Sequence, residues 1–375
     1  VTDTNCAIAG IGETAYVRGA GASTVRLAAE CSLRAIHDAG LEPADIDGII
    51  LYWLFEPLDA VDVAMSLGIP RLSWMLNVAG GGNNGAGVVT TATAAINAGL
   101  ATNVLCLHAV NRFSARPDRS GGPNLLAPFG QIAAPQMFAL WAQRHMHEYG
   151  TTAEQLGEIA VTFRRHAGMN ERALMRKPIT LDDYLASPMI TTPFRLLDCC
   201  LETDGGAACV VTSKARAMDL RHRPVHILGG VCNAWGPAAN EGGTADEYTS
   251  IGSRYAGPRL WEGTGLRPQD MDFAQLYDCF TYSVIAQLED LGFCGKGEGG
   301  AFVEGGRIGM QGELPLNTSG GHLSEGYVRT MNLLNEAVRQ LRRDYAGTPR
   351  QVRDAQLGLV TSAPNPGSAV ILARD

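Results

Sequence analysis

The chain has 375 residues, 46% of them apolar and 18% charged, a make-up that fits a folded protein of two domain-sized units and excludes a disordered one. Its formal net charge of −8 excludes whole-molecule attraction to nucleic acid or an anionic membrane, while leaving room for a local basic patch facing an anionic ligand. No apolar run reaches the roughly 18 residues of a membrane span, and the opening VTDTNCAIAG lacks a basic-then-apolar leader pattern, so a cytoplasmic location is expected.

Short β-rich runs alternate with amphipathic stretches from the start. CAIAGIG, DGIILYW and NVLCLHA read as strands and STVRLAAECSLRAIHDAG as a helix, which predicts an α/β fold with helices covering a largely buried sheet. The segment NVAGGGNNGAGVVTTATAAINAG (77–99) carries Gly80-x-Gly82-x-x-Gly85, formally a dinucleotide fingerprint. It follows the third strand rather than the first, and the next strand ends at His108 without the acid that would hold a ribose. The glycines therefore read as a tight turn at a helix N-terminus.

About a hundred residues separate NVLCLHA from the next strand, GAACVVTS (206–213), too many for a connector, and predict an inserted subdomain at about 111–196. Within it, His145-Met146-His147 has an i,i+2 spacing that turns the two rings to different faces, which argues against a metal and for a solvated helix. FRRHAGMNERALMRKP (163–178) is a basic run, either a solvated helix face or a grip on an anion. Nine cysteines without a C-x-x-C pair fit reduced thiols rather than a disulfide framework or a zinc site.

The chain then begins again. After residue 224 come the strand VHILGGVC, a helix near RLWEGTG, a strand over FAQLYD and a helix from residue 281. The glycine-rich loop TSGGHLSEGYVRT (318–330) runs straight into another helical pattern, with Tyr327 at its mouth, before the strands QLGLVTS and SAVILAR. The likeness of GAACVVTS to GSAVILAR predicts a duplicated α/β unit, residues 1–223 and 224–375.

Three stretches together, PFRLLDCCLETDGGAACVVTS (193–213), LYDCFTYSVIAQLEDLGFCGKGEGGAFVEGG (276–306) and LPLNTSGGHLSEGY (314–327), resemble the thiolase superfamily in its sterol-carrier-protein or lipid-transfer branch. The resemblance implies two similar α/β halves stacked in five layers, an inserted loop domain and a homodimer. It also implies a cysteine opening the helix after the third strand, two histidines and a late cysteine loop. Here the first position falls at about Gly82, within GGGNNG, and no cysteine lies between residues 32 and 105. The branch's His-Asp-Cys-Phe stands as Tyr277-Asp278-Cys279-Phe280. The histidine after Gly-Gly-x-x-Ser-x-Gly stands as Tyr327, and the late loop reads TSAPNPGSA (361–369) without a cysteine.

Without a thiolate there is no acyl-enzyme, so ordinary thiolysis of a 3-oxoacyl-CoA is excluded. A fold that binds an acyl thioester and stabilises its enolate with fixed donors can still support retro-aldol cleavage of a 3-hydroxyacyl-CoA, given a proton mover. The resemblance narrows accordingly to the steroid side-chain-cleaving aldolases. It implies a 17-hydroxy steroid C22 acyl-CoA substrate, a 17-ketosteroid and propionyl-CoA as products, and no cofactor, CoA being part of the substrate. It further implies a DUF35 partner with an OB fold, often alongside a hydratase module, on a homodimer core within a heterotetramer.

Tyr277 and Tyr327 are then the expected acid–base pair, their order open, with Gly82 and Asn83 as the expected oxyanion or backbone loop. His322 competes as a proton carrier, and Cys279 as a chemical or merely packed thiol. Arg164, Arg165, Arg172, Arg176 and Lys177 lie where the resemblance places CoA, with no single residue assignable and no metal expected. Two other readings stay open: a non-catalytic carrier of steroid acyl-CoA, and a thiolase that recruits Cys279 or Cys294.

Overall fold

Helix and strand boundaries follow local chemistry. The first helix, α1 (Thr24–Ala39), opens where the Ser23 side chain accepts the Arg26 N–H and closes at Gly40, whose φ of 77° suits a residue without a Cβ. It lies so close on the first strand, β1 (Cys6–Glu13), that a Cβ at Gly10 would meet the Ala35 carbonyl oxygen at 2.2 Å. The structure, a computed structural model, describes residues 4–54, 58–115, 126–238 and 247–374.

The remaining strands are β2 (Gly48–Trp53), β3 (Trp74–Ala79), β4 (Asn103–Asn111), β5 (Met189–Thr191), β6 (Phe194–Arg195), β7 (Asp204–Ser213), β8 (Val225–Ala234), β9 (Phe273–Gln275), β10 (Leu357–Ser362) and β11 (Gly367–Arg374). The helices continue with α2 (Ala60–Leu67), α3 (Gly85–Asn97), α4 (Arg112–Ala115), α5 (Ala134–Tyr149), α6 (Ala153–Gly168) and α7 (Leu181–Leu185). Then follow α8 (Lys214–Ala217), α9 (Ser253–Thr264), α10 (Thr281–Asp290), α11 (Gly299–Phe302), α12 (Gly321–Ser324) and α13 (Met331–Arg342).

Apart from the β5–β6 hairpin, the strands form one hydrogen-bonded series in the order β3-β2-β4-β7-β1-β8-β11-β10-β9. From the central β1–β8 pair outward, the two wings repeat each other. β7, β4 and β2 follow β1 as β11, β10 and β9 follow β8, with the same sequence of antiparallel, antiparallel and parallel pairings. The wings join through a short antiparallel register, Cys6↔Ile227 to Ile8↔Val225. This is the duplication that the paired GAACVVTS and GSAVILAR strands announced.

Helices α3 and α13 lie between the wings and touch strands of both. On the outer faces, α1 and α2 cover the first wing and α9 the second, with α10 packed against α9. The result is five layers, helix, sheet, helix, sheet, helix, which is the thiolase arrangement. The middle layer presents apolar side chains to the sheets, with Val88, Val89, Ala92, Leu333, Leu334, Ala337 and Leu341 all buried, while α13 also buries the polar Asn332, Asn335, Glu336 and Gln340.

Between β4 and β7 the inserted segment supplies α5, α6 and α7; α5 and α6 pack over α10 to α12 of the second half, and α7 packs on α6. Its residues 116–125 lie outside those described. His145, expected on a solvated face, is instead fully buried on α5, with Nδ1 2.8 Å from Thr151 Oγ1 and Nε2 3.0 Å from the Glu289 carboxylate. A partner carboxylate on α10 turns a surface histidine into a core tie. Among the described residues no helix is long and apolar enough to cross a membrane.

Candidate active site

Tyr277, just past β9, and Tyr327, between α12 and α13, both belong to the second half and meet at the end of β9, with Gly82 of the first half against them. The strand expected over FAQLYD stops at Gln275, because side chains replace the ladder beyond it. Asn317 Oδ1 takes the Leu276 N–H at 2.7 Å, and Thr361 Oγ1 takes the Tyr277 N–H at 3.0 Å. The Tyr277 carbonyl accepts from Ser283 Oγ at 2.9 Å and Gln287 Nε2 at 2.8 Å, so its backbone is tied on both sides. Tyr327 does not sit at the mouth of a long helix. It lies in a turn between the single-turn α12 and α13, with its N–H donated to Thr203 Oγ1 at 3.1 Å.

The two phenol oxygens are 2.6 Å apart, a short hydroxyl hydrogen bond, with Tyr277 buried and Tyr327 half-buried. Gly82 lies against this pair. A Cβ there would fall 1.8 Å from the Tyr277 hydroxyl oxygen and 2.0 Å from its Cζ. The volume where the resemblance puts a nucleophilic side chain is thus filled by the Tyr277 phenol, and the two cannot coexist. Asn83 points aside, donating from Nδ2 to Asn233 Oδ1 at 3.0 Å, while its carbonyl accepts from Ser368 Oγ at 2.7 Å. These bonds pin the glycine loop to β8 and to the late TSAPNPGSA loop.

Burial raises both phenols. Tyr277 stands well above the ordinary tyrosine value, from burial and then from the neighbouring Tyr327. Tyr327 is pushed to about 12 by burial and by Cys200, with the Arg329 guanidinium pulling the other way. Tyr327 is therefore the cheaper of the two to ionise.

The thiols are quiet. Cys279 is buried with Sγ 3.8 Å from Ser283 Oγ, and burial lifts it well above the usual thiol range. Cys200, whose N–H donates to the Cys279 carbonyl at 3.0 Å, and Cys294 are each pushed to about 12 by burial. A protonated buried thiol is a poor nucleophile.

His322 is fully buried beside the pair. Its Nε2 accepts the Thr330 N–H at 3.2 Å, which leaves the ring proton on Nδ1, 3.2 Å from Asp278 Oδ1. Burial lowers the imidazole to about 3, so the ring is neutral. Asp278 accepts the backbone N–H groups of His322 at 2.9 Å and Leu323 at 3.2 Å, yet burial still raises its carboxyl to about 8. Asp278 and Thr203 escaped the sequence reading as site residues. Asp278 was visible only as a constant letter of a motif, and Thr203 carried no signal at all.

The basic run divides. Arg164 is buried and donates from Nε to Ser324 Oγ at 2.9 Å, and Arg172 pairs with Glu13 at 3.3 Å and Glu336 at 3.7 Å. Arg164 thus serves the fold, while Arg172 is half-buried and ties the C-terminal side of α6 to Glu13 and Glu336 with part of its side chain still exposed. Arg165, Arg176 and Lys177 are exposed.

Comparison with known proteins gives this geometry its kinship. Residues 240–372 match the family model described as thiolase C-terminal domain-like. The steroid side-chain-cleaving aldolase of Thermomonospora curvata is 39% identical over 98% of this chain and 98% of its own length. The 17-hydroxy-3-oxo-4-pregnene-20-carboxyl-CoA lyase of Mycobacterium tuberculosis is 39% identical over 95% of this chain and 97% of its own. A solved structure described as the Ltp2-ChsH2(DUF35) aldolase superposes with a TM-score of 0.93 at 39% identity, covering 100% of this chain and 99% of that one. Such similarity along nearly the whole of each chain means that this protein belongs to the thiolase superfamily and, within it, to the steroid side-chain-cleaving aldolases.

Proposed function

We propose that this chain is a retro-aldolase that cleaves a 17-hydroxy steroid C22 acyl-CoA to a 17-ketosteroid and propionyl-CoA, with Tyr277 and Tyr327 as its acid–base pair. The observation that carries the reading is the pair of phenol hydroxyls 2.6 Å apart, seated where a side chain at Gly82 would otherwise stand. The names of the two relatives support the reaction class and the steroid acyl-CoA.

In this scheme the 17-hydroxyl gives its proton to the Tyr327 oxygen as the carbon–oxygen bond becomes a carbonyl, while Tyr327 passes its own proton across the short hydroxyl bond to Tyr277. The bond between the carbinol carbon and the carbon next to the thioester breaks, and its electron pair passes into the thioester enolate. Tyr277 gives a proton to that carbon, releasing propionyl-CoA. Each phenol has then taken one proton and given one, so the pair ends as it began. Tyr327 is assigned as base because its phenol is the less raised of the two and lies in the field of Arg329. Positioned acid–base groups of this kind contribute about 10²- to 10⁴-fold in rate. No further cofactor enters the scheme.

The partner we propose is a DUF35 protein, in keeping with the description of the superposed aldolase. With a formal charge of −8 on this chain, such a partner would also supply contacts to the anionic CoA, alongside the exposed Arg165, Arg176 and Lys177. We place a second copy of this chain against the edge of β3, which among the described residues pairs with no further strand and where Met75 is 51% and Leu76 38% exposed. The test is to incubate the chain with the 17-hydroxy steroid acyl-CoA, with and without a DUF35 partner, and follow products by mass spectrometry. Ketosteroid with propionyl-CoA supports the reading. Binding without turnover under both conditions would make the chain a carrier.

A further inference from the structure

We infer that His322 is a positioning residue that sets the hydroxyl-to-hydroxyl geometry of Tyr277 and Tyr327, and that it carries no proton to or from the substrate. The inference rests on the tyrosine reading above for its catalytic consequence, but its geometric content stands apart from it.

Three rings meet at this point. The imidazole stands edge-on to Tyr277, with centroids 5.0 Å apart and planes at 73°, and edge-on to Tyr327, also at 5.0 Å and at 79°. The phenols are 6.3 Å apart at 60°, so the histidine is a wedge between them while their hydroxyls converge beyond it. Edge-to-face packing of this kind fixes ring angles better than an aliphatic contact does.

The polar contacts of the same residue reach both tyrosine-bearing segments. Toward Tyr277, the His322 backbone N–H and ring Nδ1 both face Oδ1 of Asp278, the next residue in the chain, at 2.9 and 3.2 Å. Toward Tyr327, Nε2 holds the N–H of Thr330, three residues on. Arg329 and Thr330 have φ of 43° and 84°, conformations that non-glycine residues rarely adopt and that a β-branched residue adopts least. The bond to the imidazole therefore restrains the strained turn on which Tyr327 is mounted.

The Nε2 bond also argues against the ring as a proton carrier. A peptide N–H occupies the Nε2 lone pair and cannot release its proton in turn, and Nδ1, though without a hydrogen bond of its own among the described residues, is enclosed 3.2 Å from Asp278 Oδ1. The residue is 0% exposed. Removing the wedge thus leaves the catalytic hydroxyls present but free to separate, and a misplacement of about 1 Å costs on the order of 10²-fold in rate.

The test compares His322→Leu, which fills space without either nitrogen, with His322→Gln, whose amide oxygen can take the Thr330 N–H. Each full chain is studied with its DUF35 partner. Tyrosinate absorbance against pH, read without substrate, should shift in His322→Leu as the coupled phenols separate and lie near wild type in His322→Gln. The value of kcat should fall about 10²-fold in His322→Leu with little change in KM, and His322→Gln should recover most of it. A folded His322→Leu with wild-type titration and kcat would overturn the inference. So would loss of an acidic limb of the pH–rate profile that His322→Gln fails to restore, since that marks a proton carrier. Should His322→Leu not fold, His322→Gln decides. A rate within about tenfold of wild type supports positioning, and a loss of about 10²-fold or more, the size expected of a missing acid or base, overturns it. If no variant or wild type cleaves the steroid thioester, the aldolase reading fails while the tyrosinate titration still judges the geometry.

Discussion

Replacing Gly82 with alanine probes the steric exchange at the centre of the site. The added Cβ would lie 1.8 Å from the Tyr277 hydroxyl oxygen, 2.0 Å from Cζ and 2.4 Å from Cε2. Comfortable contact needs roughly 3.5 Å, so the phenol must retreat by about 1.5 Å or more. Its backbone cannot follow freely, because Thr361, Ser283 and Gln287 hold the Tyr277 N–H and carbonyl. A retreat of that size takes the two hydroxyls, now 2.6 Å apart, out of hydrogen-bonding range. The expected result is a loss of about 10²-fold in kcat, with a stability cost of about 1–3 kcal/mol for overpacking. Cleavage rates come from mass-spectrometric detection of propionyl-CoA, and stability from denaturant unfolding. In a Tyr277→Ala background the same Gly82→Ala change should cost little stability, a coupling of about 1–3 kcal/mol across the cycle. Wild-type turnover and stability in Gly82→Ala would refute the mutual exclusion of phenol and side chain.

Further outcomes follow from the same geometry. Tyr277→Phe and Tyr327→Phe should fold normally and each lose about 10²- to 10⁴-fold in cleavage rate, measured at saturating substrate. In the native chain at neutral pH, alkylating reagents should leave Cys200 and Cys279 unmodified by peptide mass mapping, because burial keeps both thiols protonated. A Cys279 adduct that abolishes activity would favour a thiol mechanism. Burial pushes the Glu336 carboxyl up, but Arg350, Arg172 and Arg339 outweigh that and hold it below the usual glutamate value. Its contribution to stability is therefore complete above about pH 4.3 and is lost as pH falls further; Glu336→Gln should flatten this acid limb and cost about 3 kcal/mol in urea unfolding.

Much of the architecture was written in the chain because strand and helix periods, the repeated closing strands and three ordered motifs all point the same way. The absence of a cysteine around Gly82 and the tyrosines at 277 and 327 were legible as letters. What filled the vacated space was not, since only folding brings Tyr277 onto Gly82. The basic run misled for the same reason. Arg164 and Arg172 read as surface charge, but their partners Ser324, Glu13 and Glu336 lie far along the sequence. His145 read as solvated until Glu289 was seen opposite it. FAQLYD kept a strand-like pattern past Gln275, where side-chain acceptors from Asn317 and Thr361 end the ladder and turn Tyr277 toward its partner.

The most direct measurement is single-turnover cleavage of the 17-hydroxy steroid acyl-CoA by the chain with a DUF35 partner, wild type beside the Tyr277→Phe/Tyr327→Phe double variant. Wild type should release the 17-ketosteroid and propionyl-CoA in equal amounts, while the double variant, folded and still binding substrate, releases neither. Equal release by both proteins, or a covalent acyl adduct on any cysteine during turnover, would contradict tyrosine-driven carbon–carbon cleavage.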